Sequence, residues 1–402
     1  MLSLLHSAKQ CLSAKNRGIA SINRCYSSAE TSSRPVRALF CQIERVCLCS
    51  NLVCSLTHFF LLKNRVFVST SEDPFWNLAF ENYLLEEKRR ENTNSRWLFL
   101  WRNQPSVILG RHQNPWTECN MLYMKAQNIP LVRRQSGGGT VYHDLGNTCI
   151  SIFADKHEPE RNLQFACDVL RETYSLNAYI SPRKDIFVDE FKVSGSAFRI
   201  TNKACYHHFT LLLSTDLDVL EKTLTPAGLE MESKATASVR SKVLNLASRV
   251  SITHESLSSA LATGFAMKYP NGDKTGLAID VWNHDRIASN PEVQATFHEY
   301  TDWSYIYGRT PEFTQQLHHD FGDFAIHMSI NVLEGVVQSA SVETEPNDFV
   351  IDMAVQNALV GCPYNATTLS QTLLGQSASI HSEESERKFL AIRDWFVSSL
   401  HV

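Results

Sequence analysis

A chain of 402 residues, 43% hydrophobic and 20% charged, has an ordinary globular composition and length for one large domain plus a smaller one. Its net charge of −4 excludes bulk electrostatic capture of nucleic acid. The eleven cysteines show no Cys-x-x-Cys spacing, which argues against a zinc scaffold and for free thiols in a reducing compartment.

Residues 1–29 contain no Asp or Glu but carry Lys9, Lys15, Arg17 and Arg24 among many Ser, Ala and Leu. That composition predicts a mitochondrial transit peptide, cut after Tyr26, and a matrix location. Residues 30–65 read as an unassigned apolar insert rich in cysteine (Cys41, Cys47, Cys49, Cys54). Its longest apolar run, Val46 to Leu62, is interrupted by Asn51, Thr57 and His58 and is short for a membrane span, so no membrane association is expected.

The folded part is expected to start with a strand at Arg65–Val68. Asp73-Pro74 then supplies an N-cap and a first-turn proline for a helix running to about Arg90. Trp97–Trp101 and Pro105–Gly110 read as two strands a few residues apart, the spacing of a hairpin. One helix is expected from Trp116 to about Gln127. Strands follow at Ile129–Val132, Thr140–His143 and Thr148–Ala154, then a helix over 160–176. Asp185–Val188 and Phe191–Gly195 form a strand–turn–strand around Asp189-Glu190, and Cys205–Ser214 is a long strand. Helices are predicted at 218–224, 256–269 and 291–300. The character changes at Trp303, where a hairpin turning at Glu334-Gly335 and helices near 348–359, 366–375 and 384–400 suggest a small α/β domain. The domain reading is therefore 66–300 and 301–402.

Four stretches carry chemistry. Arg133-Arg134-Gln135-Ser136-Gly137-Gly138-Gly139 joins a triple-glycine turn to two cations, the make-up of an anion nest. Strand alternation allows only one of Arg133 and Arg134 to face a pocket there. Lys192-Val193-Ser194-Gly195-Ser196-Ala197 sets a lysine before a turn of small residues. In Tyr206-His207-His208-Phe209-Thr210 the two histidines point to opposite faces, so they cannot share a metal; one is read as core and the other as exposed. Ala235-Thr236-Ala237-Ser238-Val239-Arg240-Ser241-Lys242 is a hydroxyl-rich loop able to hydrogen-bond a ligand.

Taken in order with Gly110-Arg111-His112-Gln113-Asn114-Pro115-Trp116 and Thr140-Val141-Tyr142-His143-Asp144-Leu145-Gly146-Asn147, these segments resemble the lipoate–protein ligase and lipoyltransferase family over about 66–250. The presequence, Arg111-His112-Gln113 and Trp303–Pro311 look most like its animal mitochondrial lipoyltransferase branch; Lys192–Phe198, with Leu211-Leu212-Leu213, looks closer to bacterial bifunctional ligases. The resemblance implies an α+β fold like that of biotin/lipoate–protein ligases, a mixed sheet domain with a small C-terminal α/β domain. It implies an acyltransferase that passes lipoyl from lipoyl-AMP, or from the lipoylated glycine-cleavage H protein, to the lysine ε-amine of lipoyl domains of 2-oxoacid dehydrogenase acyltransferase subunits. An ATP-dependent bifunctional ligase is the alternative, and a non-catalytic lipoyl-carrier binding module a second. No cofactor is implied beyond lipoyl-AMP as substrate; ATP and Mg enter only for the bifunctional enzyme. No metal site and a monomer are expected. Lys192 is the catalytic residue the resemblance implies. Tyr142, Arg183, Lys192, Thr210, Thr236 and Ala237, with Arg134, Ser136, Gly137, Gly138 and Gly139, would bind the adenylate. Val107, Leu109 and Val141 would line the acyl slot, and Cys149 is read as a core thiol.

Overall fold

The computed structural model describes residues 64–400, apart from positions 92, 227, 229, 240, 272–278, 377–379 and 381. The expected transit peptide and nearly all of the 30–65 insert lie outside the described residues.

The chain begins β1 (Arg65–Ser69), α1 (Pro74–Glu91), β2 (Trp97–Trp101), β3 (Ser106–Leu109), α2 (Pro115–Glu118), α3 (Met121–Ala126), β4 (Leu131–Arg133), β5 (Val141–His143), β6 (Asn147–Ala154) and α4 (Pro159–Tyr174). It continues β7 (Ala178–Ile180), β8 (Ile186–Val188), β9 (Phe191–Lys192), β10 (Ser196–Ile200), β11 (Cys205–Leu212), α5 (Leu217–Thr223), β12 (Met231–Ser233) and α6 (His254–Lys268). It ends β13 (Ile279–Trp282), α7 (His284–Ala288), α8 (Pro291–Thr301), α9 (Trp303–Ile306), β14 (Phe313–Asp320), β15 (Ala325–Leu333), β16 (Val336–Glu345), α10 (Phe349–Leu359), α11 (Ala366–Gln376) and α12 (Glu383–Ser399).

A six-stranded mixed sheet, ordered β10-β11-β6-β2-β1-β13, is the frame of the first part. Alternation along β2 divides two cores. Leu98 and Leu100 pack with Leu163, Leu170, Leu261 and Phe265 of α4 and α6. Trp97, Phe99 and Trp101 pack with Leu78, Phe80 and Leu85 of α1. Asp73 starts α1 as expected, its carboxylate accepting the N–H groups of Phe75 at 2.8 Å and Trp76 at 3.1 Å.

Between this frame and the C-terminal part sits a small sheet, β4-β3-β5. Its Ile108 and Val132 join the α1 core. Its Val107, Leu109, Leu131 and Tyr142 join a third core with Trp116 of α2, Phe313 and Ile326 of the four-stranded β12-β14-β15-β16 sheet, Tyr364, and Phe396 of α12.

Several local expectations change. β2 and β3 do not form a hairpin: β2 lies between β1 and β6, whereas β3 pairs with β4 and β5. Both strands are fully buried, so each takes partners on both edges, and the chain crosses between sheets at 102–105. The Trp116–Gln127 helix is two short ones, because Cys119 is extended and Asn120 caps a new start by accepting the N–H of Tyr123. β7, β10, β12, β13 and β14 are strands that the sequence pattern did not reveal. The hairpin at Glu334-Gly335 is present, with both residues at positive φ.

Candidate active site

The glycine-rich turn is built around a buried cation. Arg134 donates from Nη2 to the carbonyl oxygens of Gly137 (2.6 Å) and Gly139 (2.7 Å), from Nη1 to that of Ile108 (2.9 Å), and from Nε to Ser136 Oγ (2.8 Å). Arg134 is therefore the arginine that faces the pocket, and it works by holding the turn. With those carbonyls turned to Arg134, the N–H groups of Gly137, Gly138 and Gly139 meet no protein acceptor among the described residues. Gly138 sits at φ +83°, a left-handed conformation, and an added Cβ would lie 3.3 Å from Ala197 Cβ. At Gly110 a Cβ would lie 2.1 Å from the Gly138 carbonyl oxygen, so the early loop packs directly on the turn.

Arg133 points away. Its guanidinium donates to the carbonyls of Gly110, Arg111, Gln113 and Ile306 and to Thr310 Oγ1 (2.8 Å). Burial lowers both arginines to about 10, which leaves both charged at neutral pH.

Lys192 ends β9 opposite Phe187 of β8. Its Nζ lies 3.0 Å from Asp185 Oδ2, both side chains being mostly buried. Asp185 is two residues before Phe187, just ahead of the facing strand, and residues so spaced share a face. Thr210 on β11 fixes the turn after the lysine: its Oγ1 accepts the N–H of Gly195 at 3.0 Å.

The 235–243 loop is latched by Ser238, whose Oγ accepts from Thr140 N (3.0 Å) and Gln113 Nε2 (3.0 Å) and donates to the Glu118 carboxylate. Gln113 in turn accepts from Gly110 N and Thr140 Oγ1. One hydroxyl thus ties together the early loop, the glycine turn and the late loop.

Two chambers open among these parts. The first, about 270 Å³, is walled by Leu78, Trp101, Ile108, Cys149, Phe209 and His143, with Arg134, Gly138, Gly139, Arg183 and Asp185. The second, about 730 Å³, is walled by Tyr142, Ala237, Glu118, Leu220, Leu224 and Lys242 among others. Lys192, Thr140, Val141, Gly195, Thr210, Ser238 and Val239 line both and form the shared wall.

Of the predicted site residues, Arg134, Gly138, Gly139, Arg183, Lys192 and Thr210 therefore meet at the first chamber; Tyr142 and Ala237 face the second. Ser136 and Gly137 support the turn through Arg134. Thr236 lines neither chamber; its carbonyl accepts from Gln113 Nε2 at 3.2 Å. The apolar slot has the opposite strand parity from that expected. Ile108 and Val141 line it, whereas Val107 and Leu109 point into the third core. His208 is not exposed as expected: its ring bonds to Glu81 Oε1 (3.0 Å) and Ser136 Oγ (2.9 Å). Cys149 is buried, and burial raises its thiol far above the usual range, which suits an inert core thiol. Asp185, Ser238, Gln113 and His143 escaped the sequence reading. Asp185 was reachable from the turn at Asp189-Glu190, which sets the register with Lys192.

Residues 73–266 match the lipoyl protein ligase A/B catalytic domain. Over these residues the chain is similar to lipoate–protein ligases. The solved structure of P. falciparum LipL1 in complex with lipoate is similar at 25% identity and a TM-score of 0.55, covering 83% of this chain and 99% of that one. A bipartite lipoate–protein ligase from Thermoplasma acidophilum, described with its E2 lipoyl domain, matches at 22% identity and a TM-score of 0.48, covering 62% and 97%. The fold of the chain is similar to that of the LipL1 structure. Among the described residues no cluster of His, Cys, Asp and Glu could hold a metal, and no described helix is long and apolar enough to cross a membrane.

Proposed function

We propose that this protein is a lipoyltransferase of the mitochondrial matrix. It takes a lipoyl group from lipoyl-AMP, or from the lipoylated glycine-cleavage H protein, and joins it to the lysine ε-amine of lipoyl domains of 2-oxoacid dehydrogenase complexes. The observation that carries this reading is Lys192 on the wall shared by a smaller chamber and a larger one. An acyl-adenylate has that shape: an apolar chain, a reacting carbonyl beside a phosphate, and a nucleoside. The acyl chain occupies the first chamber and the AMP part the second. The matrix location rests on the acid-free, basic composition of residues 1–29.

In the reaction the neutral acceptor amine attacks the acyl carbonyl carbon. The C–N bond forms, the C–O bond to phosphate breaks, and AMP leaves with that electron pair while the amine proton passes to solvent. Negative charge develops on the carbonyl oxygen and on the departing phosphate. The Lys192 ammonium, with the free N–H groups of the glycine turn, stabilises that charge more in the transition state than in the ground state. The anhydride is already activated, so no enzyme thiol is required, in keeping with the protonated, buried Cys149.

The test is a transfer assay with an apo lipoyl domain and three donors: lipoyl-AMP, lipoyl-H protein, and lipoate with ATP and Mg. Transfer from either of the first two is expected. Robust lipoate-dependent pyrophosphate exchange would instead support the bifunctional ligase. No transfer from any donor, with retained carrier binding, would support the binding module.

A further inference from the structure

A residue on the first chamber's wall has a buried ring nitrogen with no partner among the described residues. His143 lines that chamber and not the second, so it sits away from the wall that carries Lys192. Its Nε2 is buried and makes no hydrogen bond. Its Nδ1 faces Asn103 Nδ2 at 3.1 Å and Cys149 Sγ at 3.6 Å.

Neighbouring amides fix which nitrogen holds the proton. Asn77 Nδ2 lies 2.9 Å from the Ser71 carbonyl and 3.0 Å from the Arg102 carbonyl, so that atom must be the amide nitrogen. It also donates to Asn103 Oδ1 at 3.0 Å, which turns the Asn103 NH₂ group toward His143. Nδ1 therefore faces donors on both sides and is the acceptor. The ring is neutral, because burial and nearby cationic groups lower its basicity to about 3. The proton is then on Nε2, and this buried donor is left unmade.

Unpaired buried donors are costly, so one on a chamber wall calls for an explanation, and a bound ligand is one. Leu78, Trp101, Ile108 and Phe209 give the chamber apolar walls, and Arg134 and His208 line it too. Among the described residues Ser196 Oγ is another unpartnered buried atom of a chamber residue, but it adjoins Gly195 on the shared wall and so belongs to the reacting end. A ligand tail that completes Nε2–H must be mainly hydrocarbon yet carry an acceptor, and a ring disulfide meets both conditions. Sulfur is a weak acceptor, which suits a single N–H beside apolar walls.

We propose that His143 is a specificity-determining residue whose Nε2–H donates to a dithiolane sulfur, so that the site selects lipoyl over unsubstituted octanoyl chains. The inference rests on the acyl-adenylate reading above. A plain octanoyl chain fills the same volume but leaves the donor unpaired.

The experiment compares kcat/KM for lipoyl-AMP and octanoyl-AMP in the full-length protein and in His143→Leu. The wild type is expected to favour lipoyl by roughly tenfold, and the variant to bring the two donors within about twofold, chiefly by losing rate with lipoyl. Equal rates in the wild type, or an unchanged ratio in the variant, would overturn the proposal. A second measurement needs no variant: histidine-selective ¹⁵N NMR of the wild type with lipoate and then octanoate. The Nε2–H tautomer should be seen at His143 in both, with its resonance moved by lipoate only. An Nδ1–H tautomer, or equal shifts with both acids, overturns it. If neither adenylate is transferred, the transfer reading fails, while the NMR comparison still decides the role of His143.

Discussion

Replacing Lys192 by Met separates two roles that one ion pair combines. Lys192 and Asp185 lie 3.0 Å apart with side-chain exposures of 19% and 14%. Removing only the lysine leaves a mostly buried carboxylate without its partner, which costs about 1–3 kcal/mol of stability, short of the full price of a completely buried pair. Removing the carboxylate charge as well, in Lys192→Met/Asp185→Asn, should return most of that loss. The catalytic effect should behave differently. Loss of a preorganised donor to a developing oxyanion costs ~10²–10³ in rate, or about 2.7–4 kcal/mol of barrier. The double variant cannot recover it, because no ammonium remains. Urea unfolding followed by single-turnover transfer from lipoyl-AMP reads both quantities on the same preparations. Stability should therefore be partly rescued in the double variant while rate is not. Transfer by Lys192→Met within about threefold of wild type would refute the role given to the lysine, since the expected loss is ~10² or more. Rate rescued along with stability would show that the lysine acts only through folding.

Gly138→Ala should lose roughly 1–2 kcal/mol of stability, because Gly138 holds φ +83°, where an L-residue is strained. It should also raise KM for lipoyl-AMP; unchanged stability by chemical denaturation would contradict the left-handed turn. Ser238→Ala removes the latch to Thr140, Gln113 and Glu118 and should raise KM for lipoyl-AMP about tenfold while changing kcat less, a split that steady-state kinetics would reveal. An equal fall in kcat with KM unmoved would argue that the loop does not bind substrate. His207 is buried with both ring nitrogens unpartnered and is held near pKa 3 by burial. As pH falls below about 6.5, the unfolded chain protonates there while the folded one does not, so stability drops by up to ~1.4 kcal/mol per pH unit. His207→Phe should be neutral or stabilising at pH 7 and should flatten the pH 6 to 4 slope by about that amount, measured by urea unfolding. A slope unchanged by the substitution would sink this account.

Much of the framework was legible from local rules. Asp73-Pro74 started α1, Glu334-Gly335 turned the C-terminal hairpin, and Asp189-Glu190 set the strand–turn–strand that carries Lys192. These features depend on a few neighbouring residues, so the chain states them directly. The β2–β3 hairpin failed for the opposite reason. Proximity in sequence favours pairing, but Trp97–Trp101 and Ser106–Leu109 are apolar on both faces and each found partners on both edges. A strand with no polar face gives no local sign of its sheet or its parity. Hence Val107 and Leu109 were expected in the slot that Ile108 lines.

The sequence by itself determined the chemistry available: a glycine turn beside two arginines, a lysine before a small-residue turn, and a hydroxyl-rich loop, in an order that resembles lipoate–protein ligases. The tertiary structure decided how those parts divide the work. It sent Arg133 to the carbonyls of Gly110, Arg111, Gln113 and Ile306, and Arg134 to those of the glycine turn, and it paired Lys192 with Asp185. It also chose Ser238 as the latch and left the Nε2 of His143 without a partner. Those outcomes depend on hydrogen bonds between segments tens of residues apart. Such bonds are fixed only when packing has set distance and direction together, and no periodicity along the chain encodes them.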